Sequence, residues 1–170
     1  METWDAIRSR RNVRTYEDRP IDPQHLDQVL EAARRTPSSR NEQRWDFVVV
    51  TEEERLRELA RVWRGSGHVA RSSATIALIA PDEKDSGTRE SIQYDLGQLT
   101  MSIMLAATDL GIGTGHGAVH DQVLAKDLLG FPDGYFCAWL IALGYPTEPL
   151  TLIQNPERRA LADLVHEETW

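Results

Sequence analysis

A chain of 170 residues, 41% hydrophobic and 27% charged, can bury one sizeable core but is short for two, so a single domain over residues 1–170 is expected. No tract approaches the roughly 18 consecutive apolar residues that cross a membrane, and a net charge of −8 argues against nonspecific binding to nucleic acid, which needs a basic face. One cysteine, Cys137, excludes an internal disulfide, and METWDAIRSRR lacks the apolar core of a secretory signal, so a cytoplasmic setting is expected.

Residues 3–10 read as a short helix with Trp4 and Ile7 turned inward, followed by NVRTY as an extended segment. Asp22 as N-cap and Pro23 at the first helical position open a helix to about Arg35, with Leu26, Val29, Leu30 and Ala33 on one stripe. TPSSRNEQ breaks it as a loop. WDFVVVT reads as a buried strand, and Thr51 opens a TEEE pattern resembling a capping box, which predicts a helix over 52–63. GSGHVARSS reads as a mobile segment, and ATIALIA as a second buried strand. Both strands are apolar throughout, as in a sheet covered on both faces. Apolar residues at helical spacing predict a long central helix over 88–110, ending at GIGTGHG. A helix near 121–129, a strand in YFCAWLIALGY and a last extended piece near Leu164 and Val165 complete an α+β pattern.

Four arginines fall within seven positions, Arg8, Arg10, Arg11 and Arg14. In an extended chain Arg10, Asn12 and Arg14 share one face, and arginine forks match phosphate oxygens. Solvated arginines closing the first helix are the competing reading. Ser38, Ser39, Asn41 and Gln43, with Pro37 restricting the backbone, offer the mixed donors and acceptors that a flat heterocycle needs, although a polar turn has the same composition. Gly113, Gly115 and Ala118 mimic a dinucleotide fingerprint, but they follow a helix instead of a strand, so a nicotinamide-type Rossmann site is excluded. The glycines would permit close backbone approach to a ligand, or simply form a helix cap and turn. His116 and His120 lack the acidic partner of a zinc motif, and no G-x-S-x-G elbow occurs, so neither metal nor serine chemistry is expected.

The order of signals resembles the nitroreductase family: I-x-S-R-R-N-V-R-x-Y, then A-A-x-x-T-P-S-S-x-N-x-Q-x-W-x-F-V-V-V, a helix ending L-G-I-G-T-G, a strand ending A-L-G-Y-P, and a late N-P-E-R-R. The resemblance implies a central mixed, mainly antiparallel sheet flanked by helices around a long core helix. It also implies a homodimer with FMN at its interface, running a two-electron ping-pong cycle from NAD(P)H to nitroaromatic, quinone or similar electrophilic acceptors. Carried onto this chain, Arg10 would bind the phosphate, with Arg11 and Asn12 beside it. Arg14 would face the pyrimidine edge of the flavin, where positive charge stabilises the anion that develops on reduction. Pro37, Ser38, Ser39 and Asn41 would reach the flavin of the other subunit. Gly113, Thr114 and Gly115 would lie near the ring, and Arg158, with Arg159 as a substitute, would close on the phosphate. No protein nucleophile is needed.

Three departures matter. Arg44 replaces the proline usual after this glutamine, and His116 puts a titratable group, a candidate proton donor, where an apolar residue is common. The chain is also short for the family, which predicts a small or missing lid, with residues 64–73 as the remaining cover. A flavin-binding protein that sequesters FMN without nicotinamide-dependent turnover is the alternative, and unusual chemistry on the flavin itself or on a halogenated aromatic a third.

Overall fold

The computed structural model describes residues 1–154 and 156–170. In chain order the elements are α1 (Thr3–Ser9), α2 (Pro23–Arg34), β1 (Asp46–Val50), α3 (Glu53–Leu59), β2 (Ala74–Pro81), α4 (Ser86–Asp109), β3 (Gly113–Ala118), α5 (Gln122–Leu129) and β4 (Tyr135–Gly144). The four strands form one antiparallel sheet in the order β1-β2-β4-β3. The parallel component reduces to an isolated bridge between Asn12 and Thr114, where the extended NVRTY segment lies along β3.

β2 is buried along nearly its whole length because both of its faces are covered. Ile76, Leu78 and Ala80 join α2 and α4 in one core, whereas Ala77 and Ile79 join α3 and α5 in the other. The inward stripe of α4, with Leu96, Leu99, Ile103 and Ala107 at most 1% exposed, is the spine of the larger core. Asp85 caps its start by accepting from the Thr88 N–H at 2.8 Å, and Gly111, at φ +73°, ends it in the left-handed conformation that suits glycine. α2 starts as its sequence predicts: Asp22 accepts from the Gln24 N–H at 2.8 Å, with Pro23 in the first turn.

Several expectations are corrected. Trp4 and Ile7 face outward, 65% and 47% exposed, beside Met101 on the outer side of α4. α3 starts at Glu53 without a side-chain cap; its acidic first turn suits the positive end of the helix dipole, and residues 60–62 tighten into a 3₁₀ turn. The segment read as mobile is packed, with Ser66, His68, Val69 and Ser72 buried. GIGTGHG is not a turn beyond its first glycine but an edge strand. The piece near Leu164 and Val165 is exposed and follows a short 3₁₀ turn, Leu161–Asp163. Of the last residues, 147–149, 151, 152, 154 and 156–170 are exposed.

Candidate functional site

After α1 the chain becomes extended and docks on β3, with the Val13 N–H donating to the Thr114 carbonyl at 2.8 Å. Val13 is buried, while Asn12 and Arg14 are exposed and Arg10 is half-buried, so the face predicted from alternation is present. The glycines of β3 make the docking geometrically feasible. A Cβ on Gly113 would lie 2.8 Å from the Val13 side chain, one on Gly115 2.5 Å from the Val13 carbonyl oxygen, and one on Gly117 2.5 Å from Ser66 Oγ. The close approach these glycines permit is that of the chain's own segments.

Arg10 lies at a cleft of about 430 Å³ that also contains Arg8, Arg158, Trp4, Met101 and Leu105. Its guanidinium meets Met104 Sδ at 3.5 Å, a weak acceptor, and among the described residues Arg10, Arg14 and Arg158 join no ion pair. Arg8 donates to Gln154 Oε1 at 3.0 Å, and its carbonyl accepts from the Ile153 N–H, which ties the C-terminal arm beside the cleft. Arg158 lines that cleft, whereas Arg159 is turned to the Asp163 carbonyl. Asn155, the first residue of the N-P-E-R-R motif, lies outside the described residues. Arg11 points the other way and donates to the carbonyls of Ser9 and Thr151.

His116, half-buried on β3, stands edge-on to Trp139 with ring centroids 5.7 Å apart. Burial and then the charges of Arg10 and Arg14 hold its pKa below the usual imidazole value, so it is neutral at physiological pH. Among the described residues, the buried Thr114 hydroxyl has no partner. Buried His68 donates from Nε2 to the Gly115 carbonyl at 3.2 Å, and its Nδ1 has no partner among the described residues. Cys137 is buried and its thiol is pushed up to about 12, which removes it as a nucleophile.

Pro37, Ser38, Ser39 and Asn41 are held apart from this cluster, against the N-terminal half of α4. The loop has an unusual backbone: Arg40, Asn41 and Gln43 all have positive φ (54°, 58° and 50°), a conformation costing each L residue on the order of 1 kcal/mol. Ser38 Oγ accepts from the Gln43 N–H at 3.0 Å, and Arg44 pairs with Glu42. The Ser39 N–H meets both carboxylate oxygens of buried Asp95, at 3.1 and 3.0 Å. Asp95 and Met104 are nine residues apart on α4, about 13 Å along the axis at 1.5 Å per residue. The chain thus brings Arg10 and Arg158 to one cleft and lays residues 12 and 13 along Thr114, while the 37–41 loop is held elsewhere.

Sequence reasoning counted Arg8 in the basic cluster without giving it a role, placed His68 only in the 64–73 cover, and missed Asp95. The signal for Asp95 was a lone acid in the inward stripe Ile92, Leu96, Leu99.

The nitroreductase family model matches residues 7–71. Across 99% of both chains, 30% of residues are identical to a protein of Archaeoglobus fulgidus named "Putative NADH dehydrogenase/NAD(P)H nitroreductase". The chain belongs to the nitroreductase family. It is also 25% identical to the Bacillus subtilis protein named FMN reductase [NAD(P)H], over 92% of this chain and 61% of that protein. The crystal structure of a nitroreductase family protein from Clostridium novyi NT superposes with a TM-score of 0.81 at 28% identity over 87% of each chain. The four-stranded sheet with α4 packed on one face is thus the nitroreductase fold, and the basic cleft lies beside that helix.

The position of His68 gives a pH prediction. Burial, followed by the charge of Arg14, lowers its pKa, while the Gly115 carbonyl opposes this shift. The unfolded chain therefore takes up the proton more readily, and stability present above the unfolded value of about 6.5 is lost as pH falls through the depressed folded value. Urea midpoints should drop from pH 7 to pH 5 in the wild type and drop less in His68→Gln; equal slopes would exclude His68 as a contributor.

Proposed function

We propose that this single-domain chain, residues 1–170, is an FMN-dependent NAD(P)H oxidoreductase that reduces nitroaromatic, quinone or similar electrophilic acceptors as a cytoplasmic homodimer with FMN at its interface. The observation that carries the reading is the convergence of Arg8, Arg10 and Arg158, from opposite ends of the sequence, on one cleft where, among the described residues, the Arg10 side chain has only a thioether for a partner. Such a donor set suits a phosphate dianion, and FMN fits it. Family membership and the name of the Bacillus subtilis relative support the same cofactor. The outward Trp4, Ile7 and Met101, with the exposed arm, favour burial against a second copy.

When bound, FMN supplies reversible two-electron chemistry between the nicotinamide donor and the acceptor. Arg10 and Arg158 hold the phosphate, and Arg11 fastens the C-terminal arm that carries Arg158. Asn12 and Arg14, with Gly113, Thr114 and Gly115, would hold the flavin. Arg14 contributes fixed positive charge there. His116, neutral between two arginines, is the neighbouring group able to hand on a proton. Pro37, Ser38, Ser39 and Asn41 approach from the partner protomer.

Purified protein mixed with FMN should retain a yellow chromophore through gel filtration at the dimer volume and should bleach anaerobically with NADH or NADPH. A protein that stays colourless rejects the reading. Retained FMN that neither nicotinamide reduces assigns the chain to flavin sequestration instead.

A further inference from the structure

We infer that Asp95 is a positioning residue that clamps the Ser38–Gln43 loop into its cofactor-ready shape before any cofactor or partner arrives. The inference rests on the proposed role of that loop at the flavin of the partner protomer. Asp95 is 5% exposed on α4, a helix whose inward face is otherwise almost entirely apolar, so its carboxylate is retained against a desolvation cost. Its described partners all belong to the loop: the Ser39 N–H at 3.1 and 3.0 Å and the Ser39 hydroxyl at 3.4 Å.

The strain pattern explains why the loop needs a clamp. Left-handed backbone at Arg40, Asn41 and Gln43 persists only where the surroundings over-determine it. Inside the loop, the bonds from the Gln43 N–H to Ser38 Oγ and from Gln43 Nε2 to the Asn41 carbonyl close the turn on itself. They do not attach it to the protein. Asp95 makes that attachment, fixing the loop's first half to the most deeply packed helix. Preorganisation of this kind raises ligand affinity by removing the ordering cost from the binding step.

Trypsin gives a readout independent of flavin, because Arg40 lies in the loop and Arg44 directly follows it. In apo protein, Asp95→Ala should be nicked at these arginines at least about tenfold faster than the wild type, since the released loop samples extended conformations. Asp95→Asn keeps one carbonyl acceptor for the Ser39 N–H and should be nicked at an intermediate rate. FMN affinity should fall in the same order, with circular dichroism and dimer volume unchanged. Unchanged nicking in a folded Asp95→Ala protein overturns the clamp. Faster nicking with unchanged FMN affinity also overturns the inference, leaving Asp95 a structural anchor. Should Asp95→Ala fail to fold, the graded comparison is made with Asp95→Asn and Ser39→Ala, and wild-type nicking rates in both overturn the inference. Failure of the FMN reading itself would appear separately, as a wild-type protein that takes up no flavin.

Discussion

Gly115→Ala is expected to lose about 3 kcal/mol of stability and most FMN binding, measured by urea denaturation and by flavin fluorescence titration. The added Cβ would stand 2.5 Å from the Val13 carbonyl oxygen and 2.9 Å from His68 Cδ2. The nearer atom is main chain, so no rotamer change relieves the overlap; either β3 leaves β4 or the Arg10–Arg14 segment moves off β3. The first breaks the pairing of Gly115 with Ala142, and the second displaces the segment that carries Arg10 to the cleft. Gly67 is the control, because a Cβ there meets nothing within 4 Å, and Gly67→Ala should stay within about 0.5 kcal/mol of the wild type. If Gly115→Ala matched that control, the packing of the basic segment on a glycine strand would not be what fixes the site.

The contrast between β3 and β2 explains how much was legible in the sequence. ATIALIA declares itself because all of its residues but Thr75 are apolar and three are β-branched, and both faces are buried as that composition implies. In GTGHGA the alternation is equally strict, but its inward members are glycines, whose signature is absent side chains. A period of two with nothing at the repeating position reads as a turn. Only the remote partners Val13, Ser66 and His68 reveal why no side chain fits. The same distance problem hid the partners of Arg11, whose acceptor at Thr151 is 140 residues away. For Trp4 and Ile7 the apolar stripe was correctly seen, but hydrophobicity does not say whether the covering surface belongs to the same chain. The arginine face at 10–14 was legible because it depends only on local alternation after a helix that ends at Ser9. Its meeting with Arg158 was supplied by family resemblance and is realised through the arm tied to Arg8 by Gln154 and Ile153.

That meeting sets the second large effect. Arg10→Ala should weaken FMN by roughly 10- to 150-fold, corresponding to about 1.5–3 kcal/mol for a lost hydrogen bond to a charged group. The lower end applies if Arg158 compensates across the open cleft, the upper if the half-buried Arg10 guanidinium carries most of the phosphate charge. Arg158→Ala separates these cases. Arg158 is exposed and more easily screened, so its effect should be smaller and should shrink further as salt rises toward 1 M. If Arg158 compensates, the double substitution should cost more than the two single effects combined, because it removes the substitute as well; if Arg10 carries the phosphate charge, the double should cost little more than Arg10→Ala alone. Arg11→Ala tests the direction of the neighbouring side chain. Its guanidinium serves the Ser9 and Thr151 carbonyls, so its loss should act by loosening the arm that presents Arg158. In an Arg158→Ala background Arg11→Ala should therefore add little, whereas Arg10→Ala should still cost several-fold. A wild-type FMN affinity in Arg10→Ala would remove Arg10 from the site and the basic cleft with it.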